Sequence, residues 1–266
     1  MITRRQVLGV AGGMGVALAT PLVGLGADER SFPRPDPALF QSGDLVWPKK
    51  PGAYVPYNAG PERLLSADLE QWKADRTRYL DHLAHGASLS PVDEARIDLL
   101  SKMDFRDFLA VYEGDQKPGI PGAYSGGGLY VGHVGILEID ESSKPWVIEA
   151  VLHDGVRRIS YADWVRARTD QVVWLGRLRD LPAVDRARIP TEARKYLGQP
   201  YDFWNFDLDD DAGFYCSKLV WLSIFRSLGF PVDGGKNPRR ALWFSPKQLL
   251  NVPLMLRIHD PGPYAY

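Results

Sequence analysis

Apolar and polar positions follow different periods along this chain, and each change of period marks a different part. Residues 10–25 form an uncharged run rich in Gly, Ala, Val and Leu. The Pro-rich stretch 28–42 predicts an extended lead-in. Gly43-Asp44-Leu45-Val46-Trp47 predicts a turn feeding a short strand, stopped by Pro48 because proline lacks the N–H of a ladder. Residues 48–61 are rich in Pro and Gly and predict loop. Helical spacing then takes over: Leu69, Trp72, Tyr79, Leu80 and Leu83 share a face, with Ser66 as the expected cap and Gly86 as the end. Ser90-Pro91-Val92-Asp93 predicts a second helix, with a hydroxyl cap, proline at the first helical position and an acid at the third. Its apolar side includes Ile97, Leu100 and Met103. Residues 105–112 fit either an extension of that helix or a strand.

After the Gly/Pro-rich stretch 113–128 the pattern changes to that of strands. Residues 129–139, 146–152 and 172–179 are rich in β-branched and aromatic side chains and bounded by turn signals. Short connections between them predict an antiparallel sheet, with a helix at 160–167. A helix at 190–197, stopped by Gly198, leads into a loop holding Tyr201 and the acidic run 207–211. Cys216 then opens a helix that runs to Leu228 and ends at Gly229. Leu219, Val220, Trp221, Leu222, Ile224, Phe225 and Leu228 cover most of its circumference, so it belongs in a core rather than on a surface. The expected fold class is α+β: an antiparallel sheet packed against a buried helix carrying the cysteine, with a helical insertion at about 61–112.

Composition narrows the functional classes. The 266 residues suffice for one large domain or two small ones, and a net charge of −1 offers no electrostatic footprint for nucleic acid. Arg4-Arg5, the apolar run after it, the small residues Leu25-Gly26-Ala27 and the polar Asp28-Glu29-Arg30 have the layout of a twin-arginine export signal over residues 1–27. The run is short and Gly-rich for a span that needs about 20 apolar residues, so cleavage is expected, with no stable membrane span afterwards. Loss of the two arginines takes the net charge from −1 to about −3. The expected location is periplasmic or secreted, and there a single cysteine, Cys216, has no internal partner. A lone thiol in that compartment is an exposed liability, is buried as a small hydrophobe, or is used.

Position favours use. At the start of a buried helix, the free first-turn amides and the helix dipole stabilise a thiolate, and the same amides can hold an oxyanion. A cysteine nucleophile also needs a base within hydrogen-bond reach, held by a third group. Of the five histidines, His82 and His85 lie on or just after an amphipathic helix, His153 in a His-Asp-Gly turn, and His259 in a polar turn near the end. His133 differs, because Val131-Gly132-His133-Val134-Gly135-Ile136 places it inside an expected strand between glycines, which suit close backbone approach. Glu149 sits in the apolar run Val147-Ile148-Glu149-Ala150-Val151. Pairing with an imidazole on the adjacent strand would explain a carboxylate there; an outward-facing position would explain it equally.

Leu197-Gly198-Gln199-Pro200-Tyr201, followed after a polar loop by Tyr215-Cys216-Ser217-Lys218-Leu219-Val220-Trp221, resembles the nucleophile segment of NlpC-type papain-like cysteine hydrolases. Here the Gly-His-Val-Gly-Ile segment precedes the cysteine. That order, with Gly43-Asp44-Leu45-Val46-Trp47 earlier still, is similar to the circularly permuted YiiX/YebB-like branch; lecithin-retinol acyltransferase-type enzymes share it. The resemblance implies a papain-like catalytic domain over 43–266, with Cys216 as nucleophile, His133 as base and Glu149 as the group orienting His133. It places Tyr201, Tyr215 and Ser217 on the substrate side. It also implies amide cleavage through a thioester, on a cell-envelope peptide or another acylated small molecule, without metal or organic cofactor. An acyltransferase or lipid esterase, and a non-catalytic exported binding protein with a buried thiol, are the rival expectations. Lys218 stands where the permuted branch carries Glu, a charge reversal that bears on substrate preference. The run 207–211 lacks EF-hand spacing and is expected to be a solvated loop.

Overall fold

A computed structural model describes residues 32–51, 62–85, 91–107, 132–203, 205–235, 238, 240, 243–262 and 264. The export-signal expectation, the loop expected at 113–128, and the positions of Ser90 and Gly86 lie outside these residues. Six strands form one sheet: β1 (Leu45–Lys49), β2 (Gly135–Ile139), β3 (Pro145–Val151), β4 (Gly155–Ser160), β5 (Val172–Leu178) and β6 (Met255–His259). Their order is β4-β3-β2-β1-β5-β6, and every neighbouring pair is antiparallel.

Pro48 does not stop β1, contrary to expectation. It lies within the strand, opposite Val173 of β5. On the other side β2 pairs only with Leu45 and Val46, so Pro48 sits where β1 has a single neighbour and its missing N–H breaks no ladder. Two strands were not anticipated. β4 carries Arg157 and Arg158 at its centre, which obscures any apolar alternation; Arg157 pairs with Glu149 of the adjacent β3, and Arg158 reaches Glu138 of β2, one strand further. β6 is an edge strand paired only with β5, and its sequence Met-Leu-Arg-Ile-His has no marked period.

Side chains alternate across the sheet with period two. Leu45, Trp47, Ile136, Ile148, Ala150 and Trp174 join one core with α6 (Cys216–Leu228). Val46, Leu137, Val147, Val173 and Leu175 face the other way and pack with Phe40 of the lead-in and with Tyr161 and Trp164 of α3 (Tyr161–Arg166). As expected, α6 begins at Cys216 and is buried around most of its circumference; Gly229, at φ +79°, forms its left-handed cap. Ser160 caps α3 through the Asp163 amide. Short helices α4 (Ala183–Arg186), α5 (Arg188–Ala193) and α7 (Pro246–Leu250) complete this body.

The helical insertion consists of α1 (Glu62–Ala84) and α2 (Pro91–Lys102). α1 starts four residues before Ser66, so Ser66 is an interior residue and not its cap. Phe105 opens a further helical turn over 105–107. Trp72, Tyr79, Leu83, Leu100 and Met103 are buried in the same core as α6. Tyr79 packs on Phe206 at 4.7 Å between ring centroids, and Arg96 pairs with Asp207, so the insertion is fastened to the loop that leads into Cys216.

Gly135 meets a steric requirement in the sheet. A Cβ there would stand 2.5 Å from Val147 Cγ1. Gly135→Ala is expected to destabilise the fold by about 1–3 kcal/mol, read as a lowered midpoint in a denaturant melt. A midpoint unchanged from wild type would show that β3 yields at no cost.

Candidate active site

Cys216 is the first residue of α6 and 7% exposed. The residue before it, Tyr215, has extended backbone and makes no side-chain cap, so the leading amides of the helix are not claimed by a neighbouring side chain. Tyr215 and Ser217 instead secure the segment beyond α6. The Tyr215 hydroxyl accepts from the Phe244 N–H at 3.1 Å, and the Ser217 hydroxyl donates to the Phe244 carbonyl. Both side chains are buried, Ser217 completely. They hold the helix that Cys216 opens against the 243–245 segment, and burial raises the Tyr215 phenol well above its ordinary range.

His133 lies outside the strand expected to contain it, two residues before β2. Gly132, at φ +37°, turns the chain there, so the imidazole stands at the end of the sheet and not within a ladder. From that rim it meets groups on both sides. Its Nε2–H donates to Glu149 Oε2 at 2.6 Å, and the Cys216 side chain contributes to the imidazole's proton affinity. Burial alone would lower the His133 pKa. The hydrogen bonds with Cys216 and Glu149, and the charges of both, outweigh it and raise the value to about 9.

Glu149 is fully buried on the sheet face opposite α6, between Ile148 and Ala150, which belong to the α6 side. Of its two possible roles, pairing with His133 is the one observed. It also accepts from Trp164 Nε1 at 2.8 Å, from Arg157 Nε and Nη2 at 3.0 and 2.7 Å, and from Arg168 Nη2 at 3.0 Å. Burial raises a carboxyl pKa, but the hydrogen bond and charge of His133, the charge of Arg168 and the Arg157 hydrogen bond hold Glu149 well below the usual range. Sequence reasoning missed Arg157, Trp164 and Arg168. The signal was present in the Arg pair of β4 and in Trp164 and Arg168 at i,i+4 spacing, but nothing local tied either to Glu149.

Tyr201 is partly buried, and its backbone bridges to Phe214, just ahead of Cys216. Lys218 is fully buried, its Nζ has no hydrogen-bond partner among the described residues, and it lies 5.6 Å from the Phe214 ring centre. Burial lowers its pKa to about 8, against the opposing charges of Asp210, Asp202, Asp207 and Asp209. The acidic run is only partly the solvated loop expected. Asp209, Asp210 and Asp211 are exposed, whereas Asp207 anchors Arg96 and Asp211 pairs with Arg226 at 2.7 Å. Among the described residues, no group of three or more His, Cys, Asp or Glu side chains is arranged to hold a metal ion. His82, His85 and His153 are exposed.

Residues 127–243 match the family described as permuted papain-like amidase enzymes, YaeF/YiiX, C92 family. The chain is 33% identical over 101 residues to the uncharacterized protein YiiX of Escherichia coli strain K12, an alignment covering 38% of this chain and 48% of that protein. The chain thus spans about half the length of the curated relative it matches. It is also similar, at 17% identity and a TM-score of 0.43, to a crystal structure titled metalloprotein yiiX from Escherichia coli O157:H7, over 84% of this chain and 98% of the other.

Proposed function

We propose that this chain, whose residues 127–243 match the permuted papain-like amidase family, is a cysteine amidase with Cys216 as nucleophile, His133 as general base and acid, and Glu149 as the orienting carboxylate. One observation carries the assignment: the imidazole that donates to the buried Glu149 carboxylate also has its proton affinity raised by the cysteine that opens a buried helix. In the proposed cycle the Cys216 sulfur, its proton passed to His133, attacks an amide carbonyl. The Cys216 N–H and the first-turn amides hold the oxyanion. The C–N bond breaks as His133 protonates the leaving amine, leaving a thioester. His133 then takes a proton from water, which attacks the thioester and releases the acid and the thiol.

The proposed substrate is an amide in a peptidoglycan-type peptide or an N-acyl amino compound, met in the periplasm or outside the cell after twin-arginine export. Arg4-Arg5 and the apolar run behind them support the export reading. Among the described residues, no helix is long and apolar enough to cross a membrane. Incubation with a cell-envelope extract, followed by intact-protein mass spectrometry, tests the chemistry. A mass increment that maps to Cys216, is labile to hydroxylamine and is absent from Cys216→Ala is the expected result. Product carrying the acyl group on an acceptor other than water would make the enzyme a transferase. No adduct and no turnover on any envelope amide would defeat the proposal.

A further inference from the structure

Glu149 is held by more donors than orienting one imidazole requires. His133 and Trp164 both donate to Oε2, and Arg157 donates twice to Oε1. Arg168 Nη2 reaches the Oε2 that serves His133, at 3.0 Å, and lies 3.4 Å from Oε1. A buried carboxylate with the imidazole as its only cation would grip the imidazolium strongly, because little solvent screens the pair. Two guanidinium groups on that carboxylate alter the balance. Each stabilises the Glu149 charge, and each places a second positive charge near the imidazolium.

Arg168 is built into this position. Its side chain is 13% exposed, its guanidinium lies 4.5 Å from the Trp164 ring centre, and Nη1 donates to the Trp164 carbonyl at 3.1 Å. Trp164 and Arg168 therefore form one clamp at the end of α3, on the sheet face away from the nucleophile. Arg157 closes the other side from β4 and also pairs with Asp154 in the β3–β4 turn.

We propose that Arg168, together with Arg157, is a positioning residue that shares out the charge of Glu149 and thereby keeps His133 able to release its proton. The inference rests on the amidase reading above, but its test needs no turnover. The ring signals of His133 are followed by NMR against pH in the full chain, for wild type, Arg168→Gln and Arg168→Lys. Removing the charge at Arg168 relieves repulsion on the imidazolium and concentrates Glu149 upon it. Arg168→Gln is therefore expected to raise the His133 midpoint by about one pH unit or more, and Arg168→Lys by only a few tenths. A merely structural arginine predicts the opposite sign, since a loosened Glu149 would support the imidazolium less. A midpoint unchanged or lowered in Arg168→Gln overturns the proposal.

Should Arg168→Gln not fold, Arg157→Gln carries the same test with the same sign, at a side chain 32% exposed. Parallel iodoacetamide labelling keeps the two claims separate. A wild-type thiol that labels no faster than a free thiol, indifferent to His133→Ala, defeats the amidase reading, while the midpoint shift judges the arginines alone.

Discussion

His133→Ala is expected to fold and to lose turnover by about 10³-fold or more, with a parallel fall in the alkylation rate of Cys216 near neutral pH. The imidazole is hydrogen-bonded to Glu149 and its proton affinity is coupled to Cys216, so in the proposed mechanism its loss removes the base and later the acid for the leaving amine. The same variant carries a pH signature. His133 has its pKa raised from 6.5 to about 9 in the folded state, so it binds its proton more tightly there than in the unfolded chain. Its stabilising contribution is complete below about pH 6.5 and is lost as pH rises through about 9. Thermal melts of wild type should therefore show stability falling across that window, and His133→Ala should be flatter across it. Equal pH dependence in the two proteins would show that the imidazole is not ion-paired in the folded state.

Glu149→Leu is expected to be the most destabilising single change in the site, at about 3–5 kcal/mol. The substitution removes the carboxylate on which Arg157, Arg168, Trp164 and His133 converge, and leaves the largely buried Arg168 guanidinium without its counter-ion. Glu149→Gln keeps the shape and is expected to fold better, yet to lose activity, because a neutral amide does not stabilise an imidazolium. The acid limb of stability checks the charge. The Glu149 pKa is lowered by folding, so its contribution is present above the ordinary carboxyl value of about 4.5 and is lost as pH falls through the folded value. Wild type should lose stability below that range more steeply than Glu149→Gln. A Glu149→Leu protein as stable as wild type would mean that the arginines find other partners, and that the buried charge is not what holds α3 and β4 to β3.

Gly135 and Pro48 show how local and tertiary terms divided the work. The glycines around His133 announced a close approach, and Gly135 makes one against Val147. Their other consequence was not legible: Gly132 takes the chain out of strand geometry, so His133 sits at the rim of the sheet. Pro48 is a reliable stop only for a strand with neighbours on both sides, and strand order is not a local property. The bonds of Tyr215 and Ser217 to the 243–245 segment are likewise tertiary. Proximity to Cys216 in sequence says nothing about which way the neighbouring side chains turn, and both of these bond to Phe244.

What the sequence by itself determined were the features set within a few residues. These are the buried helix from Cys216 to its end at Gly229, the short helix α3, and the β-branched runs of β2, β3 and β5. Propensity, capping and apolar periodicity act over one or two turns of helix or one strand, and so can be read without the fold. The tertiary structure alone decided the company of Glu149. An arginine one strand over and a tryptophan–arginine pair from the following helix and turn are brought to one carboxylate by strand register and by the packing of α3 on the sheet. Charges are buried together only when several chain segments close around them, and no single segment carries that information.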